Sequence, residues 1–149
     1  MINLGHAEVR EHLTKFWHAA YRHLLQPSDL VTMLASLNAK YLGFLAPDGI
    51  ALVAFDTRNN RVFGTAMAAE RNGVGYVWGM YVAKDKKRCG IGRTLITNVS
   101  VRLPSALQLS VTVLKASSGA EAFYRAQGFV WVQDCDYELA PGRNAPARI

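Results

Sequence analysis

Met80-Tyr81-Val82-Ala83-Lys84-Asp85-Lys86-Lys87-Arg88-Cys89-Gly90-Ile91-Gly92-Arg93-Thr94-Leu95 runs from a strand end, through a basic glycine turn, into a helix. A helix N-terminus carries free N–H groups and a partial positive charge. Glycines let an anion approach that backbone closely. Lys86, Lys87, Arg88 and Arg93 add full charges around the same point. Each charge-assisted hydrogen bond to an anion is worth roughly 1.5–3 kcal/mol. The stretch is not a Walker loop, because the Gly-Lys-Ser/Thr ending is missing, and it lacks the third glycine of the dinucleotide fingerprint. On spacing alone it reads equally well as a plain turn or as an anion site.

Before this stretch, Ile50 to Phe55, Val62 to Ala68 and Gly75 to Val82 read as strands. Arg58-Asn59-Asn60 and Arg71-Asn72-Gly73 suit hairpin connections between them. Earlier still, Val9, Leu13, Phe16, Trp17, Ala20 and Leu24 keep a helical period up to Pro27. Ser28 is placed to cap a second helix with Val31, Leu34 and Leu37 on its buried face. Pro47-Asp48-Gly49 reads as a turn. After the glycine turn, Ile91, Leu95, Val99 and Leu103 form a helical stripe that Pro104 ends. Leu107, Leu109, Val111 and Val113 then alternate with polar residues as a strand does. A short helix from about Ser117 to Ala126 stops at Gly128, and Phe129 to Leu139 ends the pattern as a strand. This order predicts one α/β domain over residues 1–139, a mixed, mostly antiparallel sheet flanked by helices. The segment 140–149, with two prolines, a glycine and two arginines, reads as a flexible basic tail.

The 149 residues suit one domain, and a 50% hydrophobic content supplies a core. No apolar run reaches the ~18 residues of a membrane span. Residues 1–10 lack a signal peptide's hydrophobic region, so the expected location is cytoplasmic. Cys89 and Cys135 form no CxxC pair, and His6, His12, His18 and His23 lack the i, i+4 spacing of a helical zinc pair, so no metal site is expected. The net charge of +6 suits an anionic partner: nucleic acid, a membrane surface or a polyanionic cofactor.

Two segments together carry a resemblance. Met80-Tyr81-Val82 followed by Lys87-Arg88-Cys89-Gly90-Ile91-Gly92-Arg93 is similar to the acetyl-CoA motif of the GNAT superfamily of N-acetyltransferases, Gln/Arg-x-x-Gly-x-Gly/Ala after an apolar-x-Val strand end. Ala120-Glu121-Ala122-Phe123-Tyr124-Arg125-Ala126-Gln127-Gly128-Phe129 resembles the family's Ala-x-x-Phe-Tyr-x-x-x-Gly-Phe segment. The resemblance covers about residues 50–139. Lys87 stands where Gln or Arg is usual, and Ser117 where Asn often opens the last helix. The carboxylate many relatives carry on the fourth strand is absent, Trp78 and Gly79 occupying that stretch, and Thr112 stands where some relatives carry a Glu.

The resemblance implies acetyl-CoA as cosubstrate and direct attack of a primary amine on the thioester. Backbone N–H groups from Arg88 to Arg93 (Arg88, Cys89, Gly90, Ile91, Gly92, Arg93) would hold the pyrophosphate, with Lys87 beside them and Ser117 near the cofactor. The backbone of Met80, Tyr81 and Val82 would lie along the pantetheine arm. The Met80 N–H would stabilise the acetyl oxygen. Tyr124 would protonate the departing thiolate, although a phenol of pKa ~10 facing a thiol of ~8.5 makes full transfer uphill by roughly 2 kcal/mol. As a residue alone, without the resemblance, Tyr124 reads first as a core tyrosine on a helix face. No base is evident. Glu70 is the candidate for a distant one, against its plain reading as a surface residue beside a turn. Trp17, Tyr21, Tyr76 and Trp78 either wall an acceptor cleft or pack the core. Two other functions remain in view at this stage: a non-catalytic acyl-CoA-binding module, suggested by the missing base, and a basic nucleic-acid-binding domain, which no RNA-binding or zinc motif supports. A homodimer through an exposed last strand is also open.

Overall fold

The computed structural model describes residues 6–23, 25–35, 49–59, 61–140 and 142–149. Leu24, Leu37, Asn60 and the Pro47-Asp48 pair lie outside the described residues. Helices α1 (His6–Tyr21) and α2 (Pro27–Ala35) precede an antiparallel meander of β1 (Gly49–Phe55), β2 (Val62–Arg71) and β3 (Val74–Val82). A 3-10 turn, Lys84–Lys86, leads to α3 (Ile91–Arg102). Then come β4 (Gln108–Val111), β5 (Val113–Leu114), α4 (Ser118–Ala126), β6 (Asp134–Ala140) and β7 (Arg143–Arg148). The strands form two sheets, β1-β2-β3-β4 and β5-β7-β6, with β3 and β4 parallel.

The alternation of β2 sets the layers. Ala66 and Ala68 are fully buried against Leu95, Ile96, Val99 and Leu103 of α3. The small alanines let the α3 stripe sit close to the sheet. Met67 points to the other face, where it and Leu13 of α1 both approach Gly79. Phe16 of α1 stacks on Tyr81 of β3 with ring centroids 4.2 Å apart, which docks α1 over the end of that strand. The β2–β3 hairpin turns at Asn72 (φ 53°) and Gly73 (φ 79°), the two positive-φ positions that a tight two-residue connection needs. After α3, Leu103 leaves helical geometry (φ −116°, ψ 66°), as a residue before proline does.

Four expectations are corrected. The 140–149 segment is not a loose tail: β7 inserts between β5 and β6, with Ala147 fully buried. Pro146 fits there because its carbonyl accepts the Lys115 N–H at 2.9 Å where β5 ends, so no ladder bond needs the missing proline N–H. The final edge strand is therefore β6, and it starts at Asp134, not Phe129; Val130, Trp131 and Val132 are exposed instead. In α2, Leu30 is buried and Val31 is 67% exposed, because the helix starts at Pro27 and Ser28 falls inside its first turn. Leu107 is 93% exposed: it lies beyond the last rung of the sheet, Val74 against Gln108, with its N–H on Gly73 O.

Candidate active site

The alternating run around Val111 is one strand by sequence and two by structure. β4 pairs with β3 only from Val74 to Val77, and after Thr112 the chain pairs with β7 instead. β3 and β5 thus diverge, and a cleft of about 390 Å³ opens between them. β3 lines it with Tyr76 to Tyr81, and β4 and β5 line it with Ser110 to Leu114. Trp17 and Tyr21 enter from α1, Ser117 and Tyr124 from the α4 side, and Tyr137 and Glu138 from β6.

The edge of β3 that faces this opening keeps free polar groups. The Ala83 N–H donates to Phe63 O at 2.8 Å, so Ala83 pairs towards β2. By alternation the polar groups of Val82 face the open side. Higher up, Thr65 pairs with Tyr81 and Met67 with Trp78, so Ala66 alone faces both Gly79 and Met80. This bulge turns on Gly79 at φ 57°. Its carbonyl accepts a hydrogen bond from Thr65 Oγ1 at 2.8 Å.

From Val82 the chain reaches the glycine turn. Gly90 caps α3 in the left-handed region (φ 79°), and Arg88 also has positive φ (63°). Alternating handedness of this kind gathers successive N–H groups into an anion-binding concavity. The first helical bond is donated by Thr94 to Gly90 O, so the N–H groups of Ile91, Gly92 and Arg93 have no intrahelical partner. Residues 87–90 are exposed and nothing seals the turn. A Cβ on Gly90 would meet no atom within 4 Å. Lys87, Arg88 and Arg93 form no ion pair among the described residues, whereas Asp85 is held by Arg61 at 3.1 Å. This cradle fits a diphosphate. The turn does not itself line the cleft, but Gly92 adjoins it: a Cβ there would lie 3.5 Å from Met80 Cε.

Tyr124 forms the opposing wall. Its ring is buried, edge-on to Phe123 (5.1 Å) and Phe129 (5.3 Å), and burial, then the nearby Tyr21 phenol, pushes its pKa well above the usual phenol value. Tyr21 is pushed up to about 12, by burial first and then by Tyr137. The cleft therefore holds adjoining phenols, Tyr124 beside Tyr21 and Tyr21 beside Tyr137. In the unfolded chain the Tyr21 and Tyr124 phenols titrate near ~10, below their folded positions, so these two contribute stability that is full below pH 10 and is lost as pH rises towards 12 and beyond. Denaturant midpoints measured from pH 8 to 12 should fall across that window, and less steeply in Tyr21→Phe; identical slopes in both proteins would refute the assignment.

Of the residues singled out by sequence, Trp17, Tyr21, Tyr76, Trp78, Met80, Tyr81, Ser117 and Tyr124 all line the cleft. Ser117 is the N-cap of α4 but makes no side-chain cap bond, so its hydroxyl is free for another partner. Glu70 is elsewhere. Its carboxylate accepts the Gly73 N–H at 2.9 Å and it pairs with Gly75, five residues or about 16 Å along β3 from Met80. Sequence reading missed Thr65, Tyr137 and Glu138. Among the described residues, Glu138 is the only carboxylate lining the cleft, and its Oε1 accepts the Gly142 N–H at 3.0 Å. Among the described residues, no group of His, Cys, Asp and Glu is placed to hold a metal, and no helix is long and apolar enough to cross a membrane.

A splayed mixed sheet with a basic, glycine-capped helix at its mouth defines the class: an α/β domain with an anion cradle beside an open cleft. The chain belongs to the acetyltransferase (GNAT) family, whose model matches residues 7–129, and the cosubstrate of that family is acetyl-CoA. Among solved structures it is similar to PaiA N-acetyltransferase from Thermoplasma acidophilum in complex with coenzyme A (14% identity, 99% of this chain and 95% of that one, TM-score 0.73). It is also similar to a ribosomal-protein-alanine N-acetyltransferase from Brucella melitensis (20%, 97% and 93%, 0.70) and to an aminoglycoside 6'-N-acetyltransferase complexed with coenzyme A (14%, 94% and 87%, 0.64). At these identities the likeness is one of fold. A sequence search of curated proteins finds no match.

Proposed function

We propose that this acetyltransferase transfers the acetyl group to the nitrogen of a primary amine. The observation that carries the reading is the free β3 edge at Met80, adjoining the Gly90–Gly92 cradle and facing the Tyr124 wall. Bound acetyl-CoA supplies an activated acetyl thioester. The N–H groups from Arg88 to Arg93, with Lys87, hold its diphosphate. The Met80 N–H stabilises negative charge developing on the acetyl oxygen. As the amine nitrogen bonds to the acetyl carbon and the C–S bond breaks, the Tyr124 hydroxyl donates its proton to the departing sulfur. The proton lost by the attacking nitrogen passes to water in the cleft, and water returns one to the Tyr124 phenolate, so the site ends as it began.

The acceptor enters between α1 and β6, against Trp17, Tyr21, Tyr76, Trp78 and Tyr137. Aromatic faces attract cations, Glu138 adds a negative charge, and among the described residues no Lys, Arg or His lines the cleft. Glu138, and not the distant Glu70, is the carboxylate that meets the acceptor. Deprotonating an amine of pKa ~10.4 at pH 7 costs ~4.6 kcal/mol, against ~1–1.4 for an α-amine of ~7.7–8.0. Among the described residues the cleft offers no base but the weakly basic Glu138 carboxylate, so the reading favours low-pKa amines such as peptide N-termini. Acetyl-CoA should raise the melting temperature, and thiol release across a panel of α-amino peptides, aliphatic diamines and aminoglycosides should identify the acceptor. No thermal shift with millimolar acetyl-CoA would overturn the function.

A further inference from the structure

Among the described residues, Thr65 is the one polar side chain in the buried set, 3% exposed. Its hydroxyl lies opposite the bulge and donates to Gly79 O at 2.8 Å. The Gly79 carbonyl and the Met80 N–H belong to one planar peptide unit and point in opposite directions across it. A carbonyl held towards β2 therefore turns the N–H away from β2, to the side where β4 has ceased to pair. Gly79 supplies the left-handed backbone that permits this rotation, but a glycine hinge does not choose it: glycine populates positive and negative φ about equally. The hydroxyl is the group that selects one orientation. It also polarises the amide, because hydrogen bonds in a chain strengthen one another.

We propose that Thr65 is a positioning residue, whose hydroxyl locks the Gly79–Met80 peptide so that the Met80 N–H aims into the cleft. The inference rests on the reading of Met80 as donor to the acetyl oxygen. Thr65 touches neither cosubstrate nor acceptor and acts through the peptide alone. Thr65→Val keeps shape and removes the donor, and Thr65→Ser restores the donor.

The test combines three readouts: the carbonyl stretch of bound, carbonyl-labelled acetyl-CoA without acceptor, the Met80 amide resonance in the protein alone, and steady-state kinetics. In the unmodified protein the carbonyl band should lie below its solution position. In Thr65→Val it should return towards that position, the Met80 resonance should move, and kcat should fall about 10–100-fold, less than outright loss of an oxyanion donor. The KM for acetyl-CoA should stay within about twofold, because the cradle is untouched. Thr65→Ser should restore band and kcat. A purely structural role would lower the melting temperature and leave the band in place. If Thr65→Val does not fold, Thr65→Cys, a weaker donor of similar size, should give an intermediate band position. An undisplaced band in the unmodified protein sinks the Met80 reading and the inference with it. A displaced band that survives Thr65→Val sinks the inference alone.

Discussion

Tyr124→Phe should lower kcat by about 10²–10³-fold while leaving the affinity for acetyl-CoA nearly unchanged, a loss of about 2.7–4 kcal/mol from the transition state. The substitution removes one oxygen from a ring that Phe123 and Phe129 already hold edge-on. No group among the described residues hydrogen-bonds that oxygen, so no protein partner is orphaned and the fold should be as stable or slightly more so. The direction of the Tyr124 pKa carries a second expectation. Burial keeps the phenol protonated well above pH 10, and desolvation beside it pushes the pKa of a departing thiol the same way. What governs transfer is the difference between the two, so a raised phenol pKa does not disable the donor. The pH profile of kcat should therefore show no limb from Tyr124 ionisation below pH 10, and any ascending limb at lower pH should survive in the variant, because it reports the acceptor amine. Full turnover in Tyr124→Phe would remove the tyrosine from the chemistry. Tight acetyl-CoA binding without turnover in the unmodified protein, for every amine tried, would favour the non-catalytic binding module.

The fold was legible where the sequence states a period and a turn. Asn72-Gly73 can close only a tight hairpin, and the α3 stripe matches the buried Leu95, Val99 and Leu103. It was illegible where one strand serves two sheets. The alternation from Leu107 to Val113 is unbroken in the sequence, and nothing local at Thr112 says that pairing changes partner there. The cleft is the product of that change, so its existence depended on β7, a strand whose Pro146, like Gly142 just before it, reads as a breaker. Those residues are tolerated because β7 needs only part of its ladder: β5 ends before Pro146, and Gly142 makes the turn into β7 with φ 72°.

The site divides the same way. The cradle was visible because charge and glycines cluster within a few residues of one another. Tyr124 was visible because a second motif repeats around it. Glu138 and Tyr137 were not, since they reach the cleft only through β6 being carried there by β7. Thr65 gave no signal, because a threonine in a strand is ordinary and its role lies in a bulge on the neighbouring strand. Glu70 drew attention as an acid near a strand end, and a hairpin N–H accounts for it.

Gly92→Ala should be the most damaging single methyl group near the cradle. The two glycines of the turn do different work. Gly90 provides a left-handed cap in open space, where a Cβ meets nothing within 4 Å and the cost is backbone strain. Gly92 lies inside α3 with ordinary helical geometry, where alanine by itself is the better helix former. A Cβ there would lie 2.8 and 2.9 Å from the edge of the Phe123 ring. An aromatic ring cannot bend away as the end of a methionine can, so α3 and α4 must separate or the ring must swing. Overpacking of this kind typically costs 1–3 kcal/mol, about 3–10 °C in melting temperature for a chain of this size. Because Phe123 precedes Tyr124, and Gly92 carries one of the free N–H groups, the same displacement should also weaken acetyl-CoA binding and lower kcat. Phe123→Leu, which removes the ring edge, should recover much of the stability of Gly92→Ala while costing some stability alone. Helix propensity predicts the reverse sign for Gly92→Ala, so a raised melting temperature would show that the contact with Phe123 is not what keeps this position a glycine.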